Sequence, residues 1–409
     1  MIQKIKHTFS SENYRSMKKY LFIISFLLLI LPIKAQLPLS EESRISILTS
    51  YPSDEEVFTL YGHTAIRILD PAQNIDLVFN YGIFDFHTPN FIYRFAKGET
   101  DYMLGVADFQ NYFIEYQMRG SKVVEQALNL NQVEKEKLWQ ALIVNYEPQN
   151  RTYRYNFFFD NCSTKPRDLV EKAVEGKINY KENKNKPTFR DLINDCTRNH
   201  YWYTFGCDLA LGSPTDRITT IREQMFLPLY LVSAFDEATI STPSGESRKL
   251  VQSSSVLIEE NKDIDKSSPS IFSPLFVSIS LLLAVTTLTI IAFKRKKIFR
   301  GIDIVLFSIA GIAGLILFFL SFISTHPATN PNWSLIWLHP FHLIGVILFS
   351  VKKLNKAAYY YHFINFAALT LLLIGWYIIP QQFNTAFIPL VLTLWIRSGY
   401  SVYIIKKTY

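Results

Sequence analysis

The sequence predicts an α+β domain followed by an all-α transmembrane bundle of about five helices. Three observations carry that prediction. An apolar leader stands near the N-terminus, a mixed strand- and helix-period region runs to about residue 235, and five apolar runs follow residue 270. The mean hydropathy of +0.10 over 409 residues averages two chemically different halves joined end to end.

The leader occupies residues 1–35. Met17-Lys18-Lys19 is a basic start and residues 20–31 are apolar but short for a span. Ala35 before Gln36 is the small residue at which a signal peptidase cuts. The residues before Met17 are polar, so Met17 is a candidate true start. The competing reading is an uncleaved anchor helix. Either way the region from 36 to 235 is expected in the periplasm.

Within that region residues 57–69 read as one long strand and residues 75–81 as the next, joined by the Asp70-Pro71 turn into a hairpin. Residues 102–108 are a weaker strand, 109–117 a short helix and 122–129 a further strand. Residues 131–145 have helical spacing, with Asn131 as cap and Glu134 three residues on. Residues 153–159 read as an aromatic strand and 163–174 as a helix. Residues 236–270 are rich in Ser, Thr, Glu and Lys and read as a polar linker.

The expected spans are 272–293, 302–323, 335–351, 359–379 and 386–405, each near the ~20 residues that a bilayer core requires. The formal net charge is +7. Much of it sits beside these runs, at Lys294 to Lys297, at Lys352, Lys353 and Lys356, and at Lys406 with Lys407. Five spans put all three clusters on one side, which predicts a multi-pass inner-membrane protein with a cytoplasmic C-terminus. The same clustering argues against nucleic-acid binding.

Two segments carry candidate chemistry. His63 follows Gly62 in a strand pattern, and Cys162 stands where a strand pattern gives way to a helical one. A helix N-terminus has unpaired N–H groups and partial positive charge. It therefore favours thiolate over thiol and can hold an oxyanion. A neighbouring imidazole takes the thiol proton. Taken singly, a strand histidine is more often a core residue and a lone cysteine an inert small hydrophobe; the pair makes a Cys–His site.

Asn161 is a candidate oxyanion donor. His87 and Tyr81 are candidates to orient His63. Arg217, after a Gly-Ser-Pro turn, is a candidate phosphate or carboxylate ligand, and Asn332, Trp333 and His339 are candidate headgroup contacts near the third span. Cys196 and Cys207 are close enough in sequence to pair, leaving Cys162 as the free thiol. Zinc-ligand spacings and glycine-rich phosphate loops are missing, so neither metal nor cofactor is expected.

Tyr61-Gly62-His63-Thr64-Ala65-Ile66-Arg67 followed by Asn161-Cys162-Ser163-Thr164, with His before Cys, resembles the circularly permuted branch of papain-like thiol folds. More closely, the chain resembles the Bacteroidota family with an Lnb N-terminal periplasmic domain. That likeness runs through Phe79-Asn80-Tyr81-Gly82, Pro89-Asn90-Phe91, residues 155–162 and 209–217, and Asn330-Pro331-Asn332-Trp333. The resemblance implies lipoprotein N-acylation, in which a fatty acyl chain moves from a phospholipid to the α-amino group of a diacylglyceryl-cysteine lipoprotein. Cys162 would be the nucleophile and His63 its base. The alternative is a periplasmic Cys–His peptidase or amidase acting on peptidoglycan or peptides, and a third reading is a ligand-binding membrane sensor. A cell-wall hydrolase seldom needs five spans, whereas lipid substrates favour them.

Overall fold

Strand β1 (Arg44–Ser50) sends Ile45 and Ile47 to one side and Ser46 and Leu48 to the other, all buried. That is the pattern of a strand covered on both faces. The computed structural model describes residues 38–54, 56–85, 87–182, 185–242, 245–261 and 271–408, so the leader lies outside the described residues. After β1 come β2 (His63–Asp70), β3 (Ile75–Ile83), α1 (Phe91–Lys97), β4 (Asp101–Asp108), α2 (Phe109–Met118), β5 (Val123–Leu128), α3 (Gln132–Tyr146) and β6 (Thr152–Arg154). There follow α4 (Thr164–Ala173), β7 (Lys177–Asn179), α5 (Phe189–Thr197), α6 (Tyr201–Ala210), α7 (Ile221–Gln224), α8 (Pro228–Glu237), β8 (Thr239–Ser241), β9 (Ser247–Lys249) and β10 (Val251–Ile258).

Seven strands form one antiparallel sheet in the order β10-β5-β1-β2-β3-β4-β6. One face carries Ile45, Ile47, Ile66, Ile68, Phe79 and Tyr81 into a core closed by α3, α4 and α8. The other carries Leu48, Ala65 and Val78 and is covered by Tyr112 and Tyr116 of α2. The hairpin, α2 and α3 stand close to expectation, and α3 has its capping box from Asn131 and Glu134.

Three expectations are corrected. Residues 57–61 form a 3-10 turn, not strand. Gly62 interrupts the run at φ +75°, where a Cβ would lie 2.6 Å from Ser50 O, so β2 begins at His63. The aromatic strand shrinks to Thr152–Arg154, and the remainder folds as a tight loop in which Asn156 Oδ1 accepts from the N–H of Phe158 and Phe159. In the linker read at 236–270, the described residues 239–241, 247–249 and 251–258 are strands: β10 pairs with β5, and β8 joins β7 and β9 in a three-stranded sheet.

The C-terminal part comprises α9 (Pro274–Lys294), α10 (Arg300–Phe322), α11 (His342–Ser350), α12 (Asn355–Ile374) and α13 (Phe387–Thr408). Four of the described helices are long and apolar enough to cross a membrane. The expected third span is not one continuous helix. It is a 3-10 turn (Trp333–Ile336), a break at His339-Pro340 and the short α11, because proline lacks the N–H that a helix interior needs. This broken passage still traverses the bundle. At one end Asn332 Nδ2 donates to Leu209 O and Ala210 O, and at the other Arg300 donates to Phe349 O and Asn355 Oδ1. Inside the bundle Arg397 donates to both Asp303 oxygens, at 2.7 and 3.0 Å, and to Thr289. Such pairing is what makes intramembrane charge tolerable.

The sheet domain sits directly on the bundle. Gly212 N–H donates to Ala328 O and Ser213 N–H to Pro331 O, while Trp202 Nε1 donates to Phe272 O, two residues before α9. Asn384 Nδ2 donates to Asp208, which also receives the buried Arg190.

Candidate active site

Antiparallel register builds the first half of the site. Ala65 pairs with Asn80, so Asn80 shares the face of Ala65 and His63, and its side chain is the diagonal neighbour of the imidazole. His63 Nε2 lies 3.2 Å from Asn80 Oδ1. An amide oxygen accepts, so this contact makes Nε2 the protonated nitrogen and leaves Nδ1 as the basic one. His63 is held well below its ordinary value, at about 4, chiefly by burial, with the Arg119 charge adding to the effect and the Asn80 contact opposing it.

Loop chemistry builds the second half. Asn161 is buried; its Oδ1 accepts from the N–H of Ser163 and Thr164, and its Nδ2 donates to Phe157 O and Phe226 O, each at 2.8 Å. This clamp fixes the turn into α4 and aims Cys162 at the end of the sheet. A Cβ on Gly82 would stand 3.6 Å from that of Cys162. Burial pushes the Cys162 thiol up to about 11, with the N–H groups of Thr64 and of Cys162 itself pulling the other way. The expected thiolate at the helix start is therefore corrected, because loss of solvent outweighs the helix terminus. His63, Asn80, Gly82 and Cys162 line one cavity of about 290 Å³, walled by aromatics including Tyr102, Tyr116 and Tyr155. A polar groove of about 410 Å³ adjoins it and shares Ser53, Arg119 and Ser121.

Other expected site residues lie elsewhere. Both Asn161 N–H donors are occupied, so it cannot hold an oxyanion; its role is to clamp the loop. His87 is an exposed loop residue paired with Asp85 at 2.9 Å. Tyr81 faces the opposite side of the sheet from His63, where its hydroxyl accepts from Asn145 and its ring packs on Tyr153. Arg217 pairs with Glu223 and covers the Phe189 ring. Asn332 is spent between Leu209 O, Ala210 O and the Ser334 N–H. The Trp333 N–H donates to Gln381 Oε1. His339 is stacked on His342 at 3.8 Å within the bundle. None of these residues lines the cavity of Cys162. Cys196 and Cys207 are free thiols, and both pack in the aromatic cluster around Phe158 and Phe226.

Sequence reasoning missed Asn80 and Arg119. Asn80 was recoverable, since counting the hairpin outward from its turn sets it beside His63. Arg119 depends on how α2 lies across the sheet and has no local signal.

Two results are expected here. Asn161→Ala should lose about 2–4 kcal/mol of stability, because four hydrogen bonds of one buried side chain disappear; a thermal melt checks it. Asn80→Ala should lower kcat by about 10- to 100-fold with little change in KM, because it frees the imidazole tautomer without emptying the cavity.

Together these features define an α+β domain seated on a helical bundle in which four of the described helices are long and apolar enough to cross a membrane. Comparison with family models identifies residues 35–195 as an Lnb N-terminal periplasmic domain and residues 266–408 as an Lnb transmembrane domain. The chain belongs to the Lnb-type family, and its two domains mark a membrane-associated periplasmic enzyme. Neither the curated proteins nor the solved structures include a match.

Proposed function

We propose that the protein is a lipoprotein N-acyltransferase that works through a thioester on Cys162. The observation that carries this reading is the convergence of Cys162, His63 and Asn80 on one cavity, in a domain seated on a membrane bundle. A half-buried thiol that shares its cavity with a neutral imidazole fits general-base assistance better than a resting ion pair. His63 takes the Cys162 proton as sulfur attacks a phospholipid ester carbonyl. The tetrahedral adduct collapses, the lysophospholipid oxygen leaves with the proton from His63, and the acyl chain stays on sulfur. The α-amine of a diacylglyceryl-cysteine then attacks the thioester and gives its proton to His63. The departing sulfur recovers that proton, leaving an amide. The polar groove beside the cavity, with Asp54, Asp195, Arg198 and His200, has room for the lipoprotein's N-terminal segment.

The Cys–His–Asn set, with the histidine strand preceding the cysteine helix, favours a permuted papain-like ancestry. The basic clusters support the membrane orientation. Lys297 lies against Tyr400, and Arg300 against Asn355 near Lys352 and Lys353, all at the end of the bundle away from the sheet domain. The positive-inside rule puts that end and the C-terminus in the cytoplasm of a cell whose inner membrane holds the protein.

The test is mass spectrometry of lipoprotein N-termini from cells lacking the protein and complemented with wild type, Cys162→Ser or His63→Ala. Restoration of the amide-linked chain by wild type alone supports the proposal. Triacylation in the uncomplemented cells, with no second enzyme present, contradicts it and turns attention to peptidoglycan hydrolysis.

The pH dependence has a definite sign. The base form of His63 exists above about pH 4, so its acid limb lies near 4 and not near 6.5. Alkylation of the Cys162 peptide by iodoacetamide should climb about tenfold per pH unit from 7 towards 11; a plateau near neutrality would contradict a thiol raised by loss of solvent. Between about pH 6.5 and 4 the unfolded chain binds a proton at His63 that the folded chain refuses, so stability falls as pH falls through that window.

A further inference from the structure

An aromatic track connects the membrane edge of the bundle to the thiol cavity. Helix α1 lies against the periplasmic end of α10. Tyr93 packs at 6.0 Å on Phe319 of that span, Thr325 N–H donates to Lys97 O, and the His326 ring bonds Phe95 O. From there Phe95 stacks on Phe91 at 6.2 Å, Phe91 on Phe84 at 5.7 Å, Phe84 meets Tyr102 at 4.9 Å and Tyr102 stacks on Tyr155 at 4.0 Å. Phe84, Tyr102 and Tyr155 are walls of the cavity that holds Cys162.

The outer side of α1 is apolar and uncovered. Ile92 is 83% exposed, Tyr93 54% and Phe95 47%. Contiguous exposure of this kind marks a contact surface. Because Tyr93 rests on a residue inside α10, the patch lies at the depth of the bilayer interface, where aromatic side chains are favoured.

We propose that α1 is a membrane-dipping lipid gate, and that one acyl chain of an outer-leaflet phospholipid follows the Phe95–Phe91–Phe84 track to Cys162. The inference rests on the acyl-transfer reading for its purpose but not for its geometry. It assigns α1 the task of drawing a chain sideways out of the leaflet, so that the ester carbonyl reaches the thiol while the headgroup stays in the polar groove.

The test uses full-length protein in phosphatidylethanolamine–phosphatidylglycerol vesicles containing a phospholipid with a photoreactive acyl tail. Cross-linked peptides are mapped by mass spectrometry in wild type, Cys162→Ser and Ile92→Glu. Label on residues 83–102 in both wild type and Cys162→Ser, reduced at least tenfold by Ile92→Glu, supports the gate. Label confined to the spans, or unaffected by Ile92→Glu, overturns it. Thioester formation is scored in parallel with vesicle phospholipid and with monomeric dihexanoyl phosphatidylcholine. Ile92→Glu should cut the first at least tenfold and change the second less than twofold. A wild type that takes label along the track yet forms no thioester with either donor overturns the acyl-transfer reading and leaves the lipid gate standing.

Discussion

Cys162→Ser should abolish N-acylation, by on the order of 10⁴-fold or more, while the protein still folds. Its size follows from the site. The half-buried thiol has its pKa pushed up to about 11 by loss of solvent, and its base is an imidazole held at about 4. Such a weak base can assist a thiol, whose sulfur is nucleophilic even before full deprotonation. It cannot make an alkoxide from a hydroxyl. Folding should survive because the volume change is small and the loop is fixed by Asn161, not by the cysteine. His63→Ala should cost less, about 10²- to 10⁴-fold. Lipopeptide acylation by purified variants, read by mass spectrometry beside a thermal melt, checks both.

The largest effect on stability is expected at Arg190. This side chain, 1% exposed, donates to Asp216 at 2.7 Å, to Asp208 at 3.2 Å and to the carbonyls of Leu211 and Gly212. Asp208 receives Asn384 from the bundle at the same time, so Arg190 ties the sheet domain to the membrane part. Arg190→Ala strands two buried carboxylates and should cost about 3–5 kcal/mol. Burial already holds Asp216 above its ordinary value, with Arg190 opposing the rise. Without Arg190 the folded chain binds a proton at Asp216 more tightly than the unfolded chain does. The deficit should therefore shrink as pH falls. Melting temperatures of wild type and variant at pH 8 and pH 5 check it; an unchanged gap would contradict the unpaired-carboxylate account.

What was legible in the sequence was local. The β2–β3 hairpin has its turn, α3 has its cap, and Cys162 stands just before a helix whose apolar face is regular. Local pattern fails where long-range pairing decides. Strand β10 reads as linker because, as an edge strand, it exposes Gln252 to Val256 and has no alternation to detect; its partner β5 lies over a hundred residues earlier. The third span fails for a different reason. Pro340 and the pair His339 and His342 break a run that is apolar enough on average, and His342 is held by Trp337 O and the Tyr361 hydroxyl. In the site, the two reacting side chains were legible as residue types in context. The orienting residue is legible only through the register of the hairpin, which brings Asn80 to the imidazole and turns Tyr81 to the opposite face.

The most direct test of the thioester is peptide mass spectrometry of full-length protein incubated in phospholipid vesicles and quenched in acid. The account predicts one acyl chain on the Cys162 peptide, released by neutral hydroxylamine and by an added diacylglyceryl-cysteine peptide that becomes N-acylated in return. Lipopeptide acylation at the full rate by Cys162→Ser, or by a wild type whose Cys162 never carries an acyl chain, would contradict it.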